Sequence, residues 1–368
     1  MISVIYYGNN NIFMIIDYIE IENYKSIKKI HLDLKPINIL IGSNGSGKSN
    51  FISFFEFLNQ LYEQKLEQYI SLRGGQEKML FQGLKVSPHI KAHLSFNAGI
   101  NGYSFTLSSG ESNMIFTSEA LWYYDNPWSM SNYTSKAGVK LNKQGRGEYV
   151  NKFLKSFRKY HFHDTGKKSP FSLTSHVDND SYFLYEEGSN LAAFLNYILE
   201  SNKIVYNRIV QTIQSVAPYF SDFFFQPNEE GYLRLQWQSK YSSTIYGAND
   251  LSDGTLRFIA LTTLFLQPNL PNTIIIDEPE LGLHPFAIAK LAGMIKSASF
   301  KKVQIILATQ SADLINHFSA EDIITVDQIN GESIFNRLNE ENLKSWLEDY
   351  NIGDLWQKNI INGGQPNK

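Results

Sequence analysis

Apolar and polar residues begin to alternate at Ile15. Ile15 to Ile21 and Ile27 to Leu34 each carry a two-residue period, which predicts two strands around a turn at Asn23 to Ser26. Ile37 to Ile41 is a short apolar run of the kind found in strands buried on both faces of a sheet. After a glycine-rich stretch, Phe51, Phe54, Phe55, Leu58 and Leu61 fall at helical spacing. His89–Asn97, Tyr103–Leu107 and Met114–Tyr124 read as strands separated by Gly and Asn turns, and the polar segment Pro127–Gly147 reads as a loop. Lys152, Lys155, Arg158 and Lys159 are expected on one short helix, as a solvated basic face or a phosphate contact. Leu191–Ile213 predicts one long helix, and Phe223–Phe225 with Tyr232–Trp237 a hairpin. Beyond Leu251 the order is helix, strand Thr273–Ile276, helix Pro285–Lys296, strand Val303–Ala308, helix Ala312–Phe318, strand Ile323–Asp327. That alternation is the signature of a parallel sheet in an α/β fold. Residues 1–13, with Asn9-Asn10-Asn11, read as a loose extension, and Met14 is an alternative start.

Composition adds mainly exclusions. With 368 residues, 43% of them hydrophobic, a sizeable core forms without cross-links. The absence of cysteine removes disulfides, cysteine-ligated zinc, iron–sulfur clusters and thiol nucleophiles. A formal net charge of -3 argues against a uniformly basic nucleic-acid coat but leaves room for a local patch. No apolar run reaches the roughly 20 residues of a spanning helix. Met1 to Asp17 has neither Lys nor Arg, unlike a secretory signal. The expectation is a cytoplasmic protein with no membrane partner.

The chemistry concentrates in three places. Gly42-Ser43-Asn44-Gly45-Ser46-Gly47-Lys48-Ser49 fits G-x-x-x-x-G-K-[ST] between a buried strand and a helix. Glycines let successive N–H groups turn inward on phosphates, and the helix adds its positive end. Lys48 is then expected on the β- and γ-phosphates of ATP and Ser49 on Mg2+. Asp277 and Glu278 end the apolar run Ile274–Ile276, at the sheet edge where α/β folds bind ligands. Asp277 would hold Mg2+ and Glu278 would act as general base on water. Leu251-Ser252-Asp253-Gly254-Thr255 opens a helix, either as an ordinary N-cap or as an anion site. His161, His163 and Asp164 form a further cluster, readable as a metal site or a structural pair.

Together, IENYKSI, the glycine loop, YHFHDT, LSDGTLRFIALTTL, DEPELGLHP, ATQSADL and GDLW resemble an ABC-type ATPase head of the SMC, RecF and OLD lineage. More narrowly, the chain is similar to short bacterial RecF-like or AAA-type ATPases. The resemblance implies a P-loop NTPase fold with a mixed sheet, an antiparallel β region and a helical lobe. It implies one ATPase domain over residues 14–368, divided into 14–150 (P-loop lobe), 151–270 (helical and signature lobe) and 271–368 (the Walker B carboxylates and the switch). ATP would be sandwiched in a dimer, with Ser252 and the Gly254 N–H meeting the γ-phosphate held by the other copy, and Asn50 completing the P-loop. Asp253 would turn away and cap the helix, and His284 would lie at the interface. Gln310 stands where related heads carry a switch histidine, so it counts as catalytic beside Glu278 and Lys48. Tyr24 and Lys25 stand where adenine-side or α-phosphate contacts fall, and His163 and Asp164 would sense nucleotide. The implied partner is a separate effector, a nuclease or toxin in defence against phage. The rival readings are a DNA-binding repair factor using the Lys152–Lys168 region, and an ATP-bound scaffold with little turnover.

Overall fold

The computed structural model describes residues 15–364, except 111–112 and 131–132. The expected N-terminal extension and the alternative start at Met14 lie outside the described residues. Strands β1 (Ile16–Tyr24) and β2 (Ile27–Asp33) form the expected hairpin, and β3 (Ile37–Ile41) leads into α1 (Lys48–Tyr62). Strands β4 (His89–Phe96), β5 (Asn101–Ser109) and β6 (Met114–Tyr123) follow, with β7 (Asn126–Ser129) at the edge. They build an antiparallel sheet in the order β2-β1-β4-β5-β6-β7.

The second sheet contains β3, β8 (Arg158–Tyr160), β14 (Thr273–Asp277), β15 (Gln304–Thr309), β16 (Ile323–Ile329) and β17 (Glu332–Arg337). Its order is β17-β16-β3-β15-β14-β8, parallel except for β17. Period two divides each central strand between two cores. Ile39, Ile274, Ile276, Ile305 and Leu307 face one core, while Leu40, Ile275, Ile306 and Ala308 face the other. The second core is filled by α1, whose Phe51, Phe54, Phe55 and Phe57 are all buried, because this helix lies between the two sheets. A helix apolar on most of its circumference is stable only in such a position.

The first core is covered by α4 (Leu191–Ser201), α5 (Lys203–Val216), α6 (Asp253–Leu266), α7 (Pro285–Phe300) and α8 (Ala312–Ile315). Where one long helix was expected from Leu191, the chain breaks at Asn202. Its backbone is non-helical, and its side chain accepts from the Val205 N–H to start α5. The expected hairpin is also redrawn: β10 (Phe220–Phe224) pairs with β12 (Gln236–Ser239), which pairs with β13 (Ile245–Gly247). Strand β11 (Tyr232–Leu233) leaves to pair with β9 (Ser175–His176).

Where a loop was expected over Pro127–Gly147, β7 ends and α3 (Arg146–Ser156) starts. Buried Glu119 pins this excursion, accepting from the Tyr103 hydroxyl at 2.9 Å and the Gly138 and Val139 N–H groups at 2.8 and 3.1 Å. The expected basic helix is a second correction. Lys152 and Lys155 lie on α3, but Arg158 and Lys159 belong to β8. Lys152 pairs with Glu148, Arg158 stacks over Phe183, and Lys159 reaches Asp277, so they form no common face. The short helix α2 (Leu66–Leu72) follows α1, and α9 (Glu340–Leu347) and α10 (Ile352–Gln357) follow β17. Among the described residues no helix is long and apolar enough to cross a membrane.

Candidate functional site

The loop from Gly42 to Gly47 joins the C-terminal end of β3 to α1. Gly47 takes φ 115°, a left-handed backbone open to glycine, and a side chain there would collide with Ser333. A Cβ on Gly42 would strike the Val326 carbonyl, so both glycines are fixed by close approach. Ser333, on β17, braces the loop from outside. Its hydroxyl donates to the Ser46 carbonyl at 2.6 Å and accepts from the Ser26 hydroxyl at 2.7 Å. Asn50 Nδ2 also donates to Ser26 Oγ, at 2.7 Å. The β1–β2 turn is thereby fastened to the first turn of α1.

Lys48 is buried and folds back over the loop, donating to the Gly42 and Ser43 carbonyls at 2.7 and 3.0 Å. Burial lowers its pKa, against the nearby carboxylates of Glu278, Asp277 and Glu280. The Ser49 side chain lies beside the Asp277 carboxylate and favours its charged form. Burial pushes the Asp277 carboxyl up, against the opposing pull of Lys159, whose Nζ lies 4.0 Å away. Two adjacent oxygen donors at the C-terminal edge of a parallel sheet suit a hard divalent cation.

Glu278 adopts φ 43°, an uncommon backbone for a side-chain-bearing residue, held by its N–H donating to the Ala308 carbonyl at 2.8 Å. Gln310 Nε2 donates to Glu278 Oε1, so the residue after β15 touches the carboxylate after β14. Buried Glu280 fastens the same junction, accepting from the Thr309 hydroxyl at 2.6 Å and the Gln310 N–H at 3.3 Å. Burial raises its pKa despite those donors. Beside the loop, a cavity of about 450 Å³ is lined by Gly42, Ser43, Asn44, Gln310, Trp356 and Gly363.

Lys25 and Tyr24 part company. Lys25 Nζ donates to Ser53 Oγ at 2.7 Å, one turn along α1 from Ser49. Tyr24 is wholly buried against Phe54 and Phe57, so its ring cannot stack on a base, and that expectation is corrected. Burial, with Arg73 nearby, lowers the Lys25 pKa to about 8. A phosphate beside Lys25 favours its charged form. Above about pH 8 the free protein loses that proton, so if a nucleotide phosphate lies beside Lys25 its affinity should fall as pH rises through this range. Isothermal titration of Lys25→Met should show a flatter pH dependence; an equal slope would remove Lys25 from the phosphate site.

The other candidates are also placed. Ser252, not Asp253, is the N-cap of α6: its Oγ accepts from the Thr255 N–H at 3.3 Å, and Asp253 sits in the first turn. Ser252 leads because its extended backbone and short hydroxyl suit that position. Gly254 packs on the loop after Glu280, where a Cβ would collide with the Gly282 carbonyl. His284 caps α7, its Nδ1 accepting from the Phe286 N–H at 3.3 Å. His161 and His163 diverge: His161 faces Glu187 at 3.8 Å, whereas His163 Nε2 donates to the Asp277 carbonyl at 3.0 Å. Asp164 caps its own turn, accepting from the Gly166 N–H. Among the described residues no three His, Cys, Asp or Glu side chains are grouped to hold a metal.

Residues 37–316 match the model of the family described as "AAA domain, putative AbiEii toxin, Type IV TA system". The chain belongs to this family. Its fold is that of an SMC-type ATPase head. An SMC head solved with the C-terminal winged-helix domain of ScpA is 17% identical with a TM-score of 0.58, covering 90% of this chain and 99% of that one. The head from Pyrococcus furiosus, with an extended coiled coil and bound to the C-terminal domain of ScpA, gives 16% and 0.59, covering 91% and 99%. The head from Pyrococcus yayanosii, with a coiled coil and joint, gives 13% and 0.53, covering 91% and 99%. At these identities the likeness carries the fold alone. No curated protein matches the chain.

The family match spans the P-loop, α6 and the Asp277-Glu278 strand end, and it extends to Asn316. Ser333 and Arg257 had no role in the expectations from sequence, and Lys159 entered them only as part of a basic helix. Ser333 lies on a strand without clear alternation, Lys159 on a strand of three residues, and Arg257 inside the apolar run of α6. Only Arg257 left a signal, as a lone charge among residues destined for burial.

Proposed function

We propose that this chain binds and hydrolyses ATP with Mg2+, and that two copies enclose the nucleotide between them. The observation that carries this reading is the junction of Lys48, Ser49, Asp277, Glu278 and Gln310 at one sheet edge. Gly42 to Asn50 would cradle the phosphates, with Lys48 and Lys25 supplying positive charge. Ser49 and Asp277 would hold Mg2+, which when bound neutralises phosphate charge. Glu278 would take a proton from the attacking water, oriented by the Gln310 amide. His163, bonded to the Asp277 carbonyl, would report occupancy to the rest of the chain. We read residues 14–368 as one such ATPase domain.

Ser252 and Gly254 supply the reason for a second copy. The Ser252 side chain is exposed, and its recorded hydrogen bonds run to Thr255 rather than to the chain's own loop. An exposed, capped helix start is suited to a γ-phosphate presented by another molecule. A two-fold axis satisfies both sites at once. Ser252→Arg should leave ATP binding to the separate P-loop intact while preventing ATP-dependent growth in mass. Light scattering with and without Mg-ATP checks this, and undiminished association would remove Ser252 from the interface.

The family's description names a toxin of a type IV toxin–antitoxin system, and two of the similar heads were solved with a protein partner. Both fit an engine that switches a separate effector, for which we propose defence against phage as the setting. For the alternative DNA-binding reading of the Lys152–Lys168 region, the single basic helix is replaced by Lys152, Arg158 and Lys159 with separate partners.

A further inference from the structure

We propose that Arg257 is a positioning residue that couples the chain's own nucleotide site to the exposed start of α6. Arg257 lies on the second turn of that helix and is buried. Its Nε donates to the Phe162 carbonyl at 2.9 Å and one terminal nitrogen to the His163 carbonyl at 3.0 Å. The other terminal nitrogen donates to the Leu281 carbonyl. One planar fork thus ties α6 to two separate loops, and its bonds all end on main-chain oxygens.

Each loop leads to the phosphate site. His163 accepts from Arg257 through its carbonyl and donates through its ring to the Asp277 carbonyl. Leu281 follows Glu280, whose carboxylate holds Thr309 and Gln310. Packing tightens the same connection, because Gly282 takes φ 74° and a Cβ there would come within 2.8 Å of the guanidinium. Gly254 and Gly282 also meet too closely for a side chain on Gly254.

A buried guanidinium depends on its acceptors, since an unpaired charge is costly to keep out of water. If either loop moves, Arg257 must follow or lose partners. Any displacement at Asp277 or Gln310 on nucleotide binding is therefore passed to α6, five residues from Ser252. The leucine-rich remainder of α6 packs in the core and leaves its first turns as the part free to respond. This coupling rests on the nucleotide-binding reading above, but it acts within one copy and does not require the dimer.

Amide hydrogen exchange with and without Mg-ATP tests it. In the unmodified protein, ATP should slow exchange at residues 42–50 and also at residues 251–258. Arg257→Met, similar in length but without donors, should keep the slowing at 42–50 and lose about tenfold of that at 251–258. Arg257→Lys, which restores a charge but not the fork, should recover part of the response and serves if Arg257→Met fails to fold. ATP protection at 42–50 with none at 251–258 in the unmodified protein would overturn the coupling. So would an Arg257→Met response equal to the unmodified one. Absence of protection at 42–50 in the unmodified protein would instead overturn the nucleotide reading itself.

Discussion

Glu278→Gln is expected to lower phosphate release by a factor of about 10² to 10⁴ while ATP stays bound. The substitution keeps the size and the hydrogen-bonding reach of the side chain but removes its ability to accept a proton. Glu278 is held where a base is needed: the φ 43° backbone and the bond to Ala308 fix its origin, and Gln310 fixes its carboxylate. An amide at this position can still meet the Gln310 amide through its oxygen, so the loop should keep its shape. Because hydrolysis no longer removes the γ-phosphate, the ATP-held pair should accumulate. A coupled phosphate assay beside equilibrium binding of ATP separates the two effects. Undiminished turnover would place the base elsewhere.

Lys48→Ala is expected to weaken ATP binding by about 100-fold or more, since a buried ammonium facing phosphates is hard to replace. The ammonium now bonds the Gly42 and Ser43 carbonyls, holding a charge at the loop in the absence of ligand. Fold stability should not fall with it. Burial lowers the Lys48 pKa, so the folded protein carries this charge at a cost that alanine removes. The melting temperature should therefore hold or rise slightly as affinity collapses. A matching loss of both would mean that the variant unfolds rather than losing its ligand contact.

The parts of the fold governed by period were legible in the sequence. Strands β1 to β6, the parallel run from β14 to β16 and helix α1 follow from where apolar residues repeat, and the structure adds why α1 is so aromatic: it separates two sheets. The P-loop and the Asp277-Glu278 strand end were legible because glycine spacing and a terminal carboxylate pair carry their chemistry in order along the chain. Arg158 and Lys159 were misplaced because a three-residue edge strand borrows its conformation from β14, and no local period announces it. The break at Asn202 turns on one capping side chain within an otherwise continuous pattern. Tyr24 misled in another way: adjacent Lys25 does face α1, but the strand alternation sends Tyr24 into the core. Ser333 and Arg257 act through partners hundreds or tens of residues away, which no local spacing can reveal.

The central claim is that each nucleotide is completed by a second copy, and mixing two inactive variants tests it most directly. Ser252→Arg keeps an intact P-loop, and Lys48→Ala keeps an intact α6 start. Neither alone should turn over ATP. In a mixed pair the P-loop of one faces the Ser252 of the other, which rebuilds a single complete site. Since neither variant pairs with itself around ATP and each mixed pair holds one complete site instead of two, the equimolar mixture should recover up to about half of the unmodified rate. Recovery to that order supports the shared site, whereas a mixture as inactive as its components would contradict it.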